Sequence, residues 1–166
     1  MKKLKQIILL CIMSIVINAC GNKNNQPPVN LKANTDIEIA YAEEGGVKMI
    51  PVKLNGREMD MVFDTGCSGV SISLLEVQTL YKSRKISERD ILGTTYAQIA
   101  DGSIVENALI NLREVEIGGK NGIVLHNVKA SVVLNQEAPL LLGNAVLDEV
   151  KSVEVDNNKK TIKFKR

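Results

Sequence analysis

From residue 37 onward the hydrophobic positions fall into short alternating runs. Ile37, Ile39 and Tyr41 alternate with Glu38 and Ala40, which predicts a first strand with one buried face. Gly45-Gly46 breaks that run, and Val47 to Leu54 forms the next. Pro51 within it points to an edge or bulge position, because proline has no N–H to give a ladder. Asn55-Gly56 is the strongest two-residue hairpin signal in the chain, and its partner strand runs from Arg57 to Phe63. The turn sets the register, and a slip of one residue would send every side chain of the strand to the other face. Val70-Ser71-Ile72-Ser73 alternates again. Leu74, Leu75, Val77, Gln78 and Tyr81 then recur at helical spacing as far as Lys82, with Ser73 placed to cap the helix. Lys82 to Asp90 is polar and reads as a surface loop.

The second half continues in strands. Thr94 to Ala100 is β-branched and aromatic, Asp101-Gly102 is a tight-turn dipeptide, and Ser103 to Ile117 is a long strand with a bulge expected near Asn107. The dipeptide at the tip of so long a hairpin reads either as a plain turn or as a mobile flap over a cleft. Gly118 to Gly122 makes another turn, and Ile123 to Leu134 gives strands broken near His126-Asn127. Pro139 to Gly143 is an apolar strand. Asn144 is placed to cap a short helix from Ala145 to about Val150, with Val146, Leu147 and Val150 inward. Val153-Glu154-Val155, the turn Asp156-Asn157-Asn158 and Thr161 to Phe164 form a closing hairpin. Many short strands with turn signals and two small helices predict an all-β fold, a small closed barrel.

The first 35 residues follow a different pattern. Lys2, Lys3 and Lys5 precede an apolar run from Ile7 to Ile17. These eleven residues are too few to span a bilayer, which takes about 20. A basic start, a short apolar centre and then small residues mark a secretory leader. Its end, Val16-Ile17-Asn18-Ala19-Cys20, resembles a bacterial lipoprotein signal, which implies a leader over residues 1–19 and lipid on Cys20. Acyl chains there would anchor the protein, each buried CH₂ contributing about 0.8 kcal/mol. Residues 20–35, with Pro27-Pro28 and almost no apolar side chain, read as a flexible tether ahead of a domain over 36–166. The expected location is the bacterial cell envelope, lipid-anchored, facing the periplasm or in the outer membrane. Gly21, in place of an Asp after the lipidated residue, favours the outer membrane.

Composition narrows the picture. Aromatic residues are few, Tyr41, Tyr81, Tyr96, Phe63 and Phe164, so the core should be aliphatic. The formal charge of +2 includes the three leader lysines; without them 18 basic residues face 19 acidic ones and the balance is −1. That balance, with no long basic run, argues against a nucleic-acid partner. Of three cysteines, Cys11 would leave with the leader and Cys20 carry lipid, so Cys67 would have no partner within the mature chain. Cys67 reads first as a small packed residue, or else as a reactive thiol or a link between subunits. His126 is the only histidine, and no spacing of Cys, His and carboxylates supports a metal site or a Ser/His/Asp set.

The candidate chemistry lies where the strand Arg57 to Phe63 runs into Asp64-Thr65-Gly66-Cys67-Ser68-Gly69. Such a strand can carry Asp64 into the interior and stop there. Gly66 is expected to turn the chain back through a positive φ, and the Thr65 hydroxyl to hold the loop from inside. A carboxylate so placed is a candidate catalyst, because burial and partners tune its hold on a proton.

The order of the pieces resembles the retropepsin-like aspartic proteases, in particular their bacterial single-domain members. An Asn-Gly hairpin leads into Asp64-Thr65-Gly66, a flap-like Ala100-Asp101-Gly102-Ser103 follows, and then Gly118-Gly119. The closing signature is Leu141-Leu142-Gly143-Asn144-Ala145-Val146-Leu147. The resemblance implies one catalytic Asp64 per chain, a homodimer with two such residues on its axis, a flap at Ala100, Asp101 and Gly102, and no metal or organic cofactor. It also implies a peptide or protein substrate lying extended beneath the flaps. Retroviral members carry an Asp and an Arg, paired, where this chain has Ser68 and Asn144. A Ser68–Asn144 hydrogen bond is the expected replacement.

Three functions from different classes fit. One is an aspartic endopeptidase, the reading favoured by the intact Asp64-Thr65-Gly66. Another is a catalytically silent, peptide-binding envelope lipoprotein of the same fold. The last is a structural lipoprotein whose barrel packs against a partner.

Overall fold

The computed structural model describes residues 36–119 and 122–165. The expected leader, Cys20 and the tether lie outside the described residues. Within them the chain orders as β1 (Ile37–Ala40), β2 (Ala42–Glu44), β3 (Val47–Leu54), β4 (Arg57–Phe63) and β5 (Val70–Ser73), then helix α1 (Leu74–Lys82) and a 3-10 turn (Glu88–Asp90). After these come β6 (Ile91–Gln98), β7 (Ile104–Ile117), β8 (Ile123–Val133), β9 (Leu141–Leu142), helix α2 (Asn144–Leu147), β10 (Ser152–Asp156) and β11 (Thr161–Lys165).

An eight-stranded sheet runs β2-β3-β4-β9-β5-β8-β7-β6, and a further pairing of β3 with β7 closes most of it on itself. The expected all-β barrel with two short helices is therefore what the chain forms. The closing pairs, Val52 to Ile117 through Leu54 to Val115, turn alternate residues of both strands inward. Inside lie Ile50, Leu54, Met61, Ile72, Ile110 and Leu112, each at most 1% exposed. Each such aliphatic side chain contributes roughly 1.5–3 kcal/mol by leaving water. A second sheet, β1-β11-β10, has the chain's last strand in its middle. Ile162 and Phe164 of β11 are wholly buried, and Phe164 meets Phe63 edge to face at 6.2 Å. The residue before Asp64 is thus packed on by the terminal sheet.

The Asn55-Gly56 hairpin forms as expected, with φ of +49° and +76°, the geometry of a type I′ turn. Asn55 also serves as a joint. Its amide donates to Lys85 O, and its side-chain oxygen accepts from Glu114 N–H on β7.

Several sequence expectations are corrected. Pro51 lies in an interior strand, paired with Asp60 of β4. It is tolerated because β2 covers the opposite edge of β3 only over 47–49 and β7 only over 52–54. The segment 82–90 is more than a polar loop: Ile86 (2% exposed) and Asp90 (6%) are buried, and Asp90 pairs with Arg113 at 3.6 Å. The bulge falls at Leu92 on β6, where the register slips between Ile91 and Gly93, and not near Asn107. Asn107 stays in the ladder opposite Thr95, and its amide donates to Ser131 Oγ. β8 runs unbroken through His126-Asn127, Asn127 taking a φ of +56° within it. α1 keeps its predicted bounds and its Ser73 cap, but buries Leu74, Val77 and Leu80 and leaves Leu75 exposed.

Candidate functional site

Two loops make the site, and backbone hydrogen bonds zip them together. The first follows β4. Val62 and Phe63 lie parallel to Leu141 and Leu142 of β9, and Asp64 N–H donates to Leu142 O at 3.1 Å. β9 is flanked on its other side by β5, so this two-residue strand is held between both arms of the loop that leaves β4 and returns as β5. The second loop follows β9. Gly143 N–H donates to Gly69 O, Asn144 N–H to Cys67 O and Ala145 N–H to Ser68 O, at 2.9, 2.8 and 3.2 Å.

Gly143 is required there by contact. A Cβ on it would stand 2.2 Å from Cys67 O and 2.4 Å from Gly69 O, and neither carbonyl can withdraw without breaking the zip. The glycine was legible in the closing signature, whereas its reason was not.

Asp64 emerges half-buried at the mouth of this arrangement. Cys67 N–H donates to Asp64 O at 3.2 Å and closes the turn, while Gly66 N–H donates to Asp64 Oδ1 at 2.9 Å and fixes the carboxyl group. A carboxylate held by a backbone donor with its other oxygen open can accept a proton from water or share one with a second acid. Three details depart from expectation. Asp64 is not carried fully inside. Gly66 does not take a positive φ; a Cβ on it would meet Asp64 Oδ1 at 3.1 Å, so it serves the carboxylate's approach to the backbone. Thr65 is exposed, and its hydroxyl has no hydrogen bond among the described residues.

Cys67 is half-buried, its thiol donating to Gly69 O at 3.3 Å. Ser68 is exposed, and among the described residues no hydrogen bond joins its side chain to Asn144. The Asn144 amide instead donates to Thr65 O at 3.0 Å, so the two loops are tied by side chain to backbone. Nor does Asn144 cap α2. It is the first helical residue, and Gly143 stands at the cap position without a side-chain bond.

Ala100, Asp101 and Gly102 form the exposed tip of the β6–β7 hairpin. Ser103 donates to Asp101 Oδ1 from both N–H and Oγ, at 2.8 and 2.6 Å, and these bonds hold the Asp101 carboxyl below its usual range. Gln98 donates to Gly102 O and stiffens the tip further. Sequence reasoning passed over Gln98, although a polar residue four positions before a tip glycine is a visible signal.

Among the described residues no group of three or more His, Cys, Asp or Glu could hold a metal ion. An open cavity of about 370 Å³ lies against the β3–β4 hairpin, lined by Lys53, Glu58, Asp60 and Glu116 among others, and shares no residue with the Asp64 loop.

Residues 50–149 match a family model described as "gag-polyprotein putative aspartyl protease". No curated protein matches the sequence significantly. Among solved structures the chain is similar to a retropepsin-like aspartic protease from Rickettsia conorii, with a TM-score of 0.54 and 21% identity. That match covers 78% of this chain and 89% of the other.

Proposed function

The chain belongs to the gag-polyprotein aspartyl protease family, of retropepsin-like fold, and from that premise we propose that it is a homodimeric aspartic endopeptidase, anchored by lipid on Cys20 in a bacterial envelope. The observation that carries the proposal is Asp64, half-open at the meeting of two zipped loops and held by the Gly66 N–H. The loop from Asp64 to Gly69 brings one carboxylate per chain, so a pair of acids requires a second copy. Exposed Thr65 and Gly66 lie beside it as surface for that copy to cover.

Two carboxylates about 3 Å apart cannot both ionise, and they share one proton, as established for aspartic proteases as a class. The ionised Asp64 takes a proton from water as the water attacks the peptide carbonyl carbon. The protonated Asp64 of the second copy donates to the carbonyl oxygen, so that a neutral gem-diol forms. Return of a proton to the amide nitrogen releases the amine and the acid. The Gly66 N–H keeps the carboxyl plane fixed throughout.

The test is cleavage of a mixed peptide library by the full-length chain in detergent, beside Asp64→Ala, from acid to neutral pH. Cleavage that vanishes in the variant and rises more steeply than linearly with protein concentration supports the proposal. Cleavage surviving in Asp64→Ala contradicts it. A demonstrated dimer that cleaves nothing moves the reading to a silent peptide-binding domain.

A further inference from the structure

The open cavity of about 370 Å³ lies on the outer face of the barrel, against the β3–β4 hairpin. Side chains alternate between the two faces of a strand, and directly opposed residues share a face. Val52 and Leu54 point into the core, at 2% and 0% exposure, so Pro51 and Lys53 point outward. Asp60 stands opposite Pro51, and Glu58 of β4 and Glu116 of β7 flank Lys53. The register thus gathers three carboxylates and one ammonium at the cavity, beside an apolar lining from Pro51, Val52 and Met59. Lys53 pairs with Glu58 at 3.3 Å. Asp60 and Glu116 have no side-chain hydrogen bond or ion pair among the described residues.

The chain enters the fold beside this cavity. Gly119 belongs to the lining, and its neighbour Gly118 is packed by β1: a Cβ on Gly118 would stand 3.0 Å from Ile37 Cγ2 and 3.0 Å from Ile39 Cδ1. Asp36, the residue ahead of Ile37, is held by Lys163 at 3.1 Å. Four extended residues span at most about 13–14 Å, so the segment leading into Asp36 is within reach of the cavity. Its sequence is complementary. Between Cys20 and Asp36 the charged residues are Lys23 and Lys32, with no acidic residue. Val29 and Leu31 are the only branched aliphatic residues of that stretch, and a spacing of two puts both on one side of an extended segment.

We infer that this cavity is the docking site of the chain's own residues 29–32. Val29 and Leu31 cover its apolar lining, and the Lys32 ammonium reaches Asp60 and Glu116 on its long stem. The occupant is this segment and not a separate partner, because it is joined to β1 at the cavity's edge and so binds at a high effective concentration. The ion pairs are partly solvated, so they shift the balance by a modest factor and weaken as salt rises. The inference does not rest on catalysis. Where Cys20 carries lipid, docking leaves residues 21–28 as the free tether, a reach of at most about 26–29 Å, and so keeps the domain close to the bilayer.

The experiment is brief trypsin digestion of the full-length Asp64→Asn chain in detergent, so that nothing but trypsin cuts. Mass spectrometry gives the initial rate of cutting after Lys32 divided by that after Lys23, which lies outside the docked segment. Adding Asp60→Asn with Glu116→Gln should raise this ratio on the order of two- to fivefold, and high salt should raise it in their absence. Leu31→Asn should raise it as well. Lys32→Arg should leave it low, because arginine keeps the pairs and trypsin cuts after either residue. A ratio that moves with neither the cavity variant nor Leu31→Asn overturns the inference. So does a ratio that rises on simple dilution of the protein, because the cavity would then hold the segment of a second copy. If the cavity variant is also cut faster after Arg57, its hairpin has opened, and Leu31→Asn, which alters no residue of the described fold, decides alone. None of these results bears on cleavage by Asp64, so this inference and the protease reading fail separately.

Discussion

A methyl group added to Gly66 and one added to Gly143 would have different effects, though both glycines lie in the site. At Gly143 the methyl meets two backbone carbonyls of the Asp64 loop far inside contact distance. Gly143→Ala should therefore unzip the loops and cost on the order of 1–3 kcal/mol or more, read as a lowered denaturant midpoint, with activity lost as well. At Gly66 the methyl meets only the Asp64 carboxylate, at 3.1 Å. Gly66→Ala should leave the midpoint nearly unchanged and still depress cleavage. Equal stability loss in the two variants would contradict this division. The Asn144 amide makes a similar case. Asn144→Ala removes its bond to Thr65 O and should cost about 0.5–1.5 kcal/mol, whereas Ser68→Ala, which removes no bond, should cost nothing measurable in the same unfolding titration. The sequence showed which residues gather here, because motif and spacing are written in it. It did not show that Asn144 reaches Thr65 instead of Ser68, since that depends on where two loops far apart in sequence come to rest.

Among the elements, those governed by local chemistry were legible in the sequence, and those settled by distant contacts were misplaced. The Asn55-Gly56 hairpin, α1 with its Ser73 cap, and the closing hairpin depend on neighbours in sequence, and they form where expected, the closing strands each running a residue further than the sequence predicts. The bulge depended on how β6 meets β7, and the fate of 82–90 on Arg113 arriving beside Asp90. Pattern alone carries neither fact. The flap tip has its own pH dependence. Two donors from Ser103 favour the ionised Asp101, so its folded-state pKa is depressed. The order it contributes is complete above the unfolded value of about 3.9 and fades as pH falls through the lower folded one. Amide exchange at Ser103, corrected for its intrinsic rate, should accelerate on acidification through that range. Asp101→Ala should show the fast rate at every pH. A variant as protected as the wild type would show that the tip is held by its backbone bonds alone.

For the whole molecule, the closed barrel and the terminal sheet leave no strand of the Asp64 loop unsupported, so a single chain can fold with its site half-built. β11, paired on both sides within its own chain, leaves β1 and β10 as the edges of the terminal sheet. The all-β character was legible from strand length and turn spacing. The pairing of β3 with β7 that closes the barrel was not, because the paired residues, from Leu54 with Val115 to Val52 with Ile117, lie far apart in sequence. The account's central claim, that two copies each lend one Asp64 to a shared site, is tested most directly by mixing. Full-length wild type is held at a fixed amount in detergent, and the Asp64→Asn chain is added and allowed to exchange before cleavage is measured. If each site needs both residues, activity falls to about half at an equal amount of variant and to about a tenth at a ninefold excess, as random pairing into two-fold dimers requires. Activity that stays constant while mixed dimers demonstrably form would contradict the claim, because a single Asp64 would then suffice.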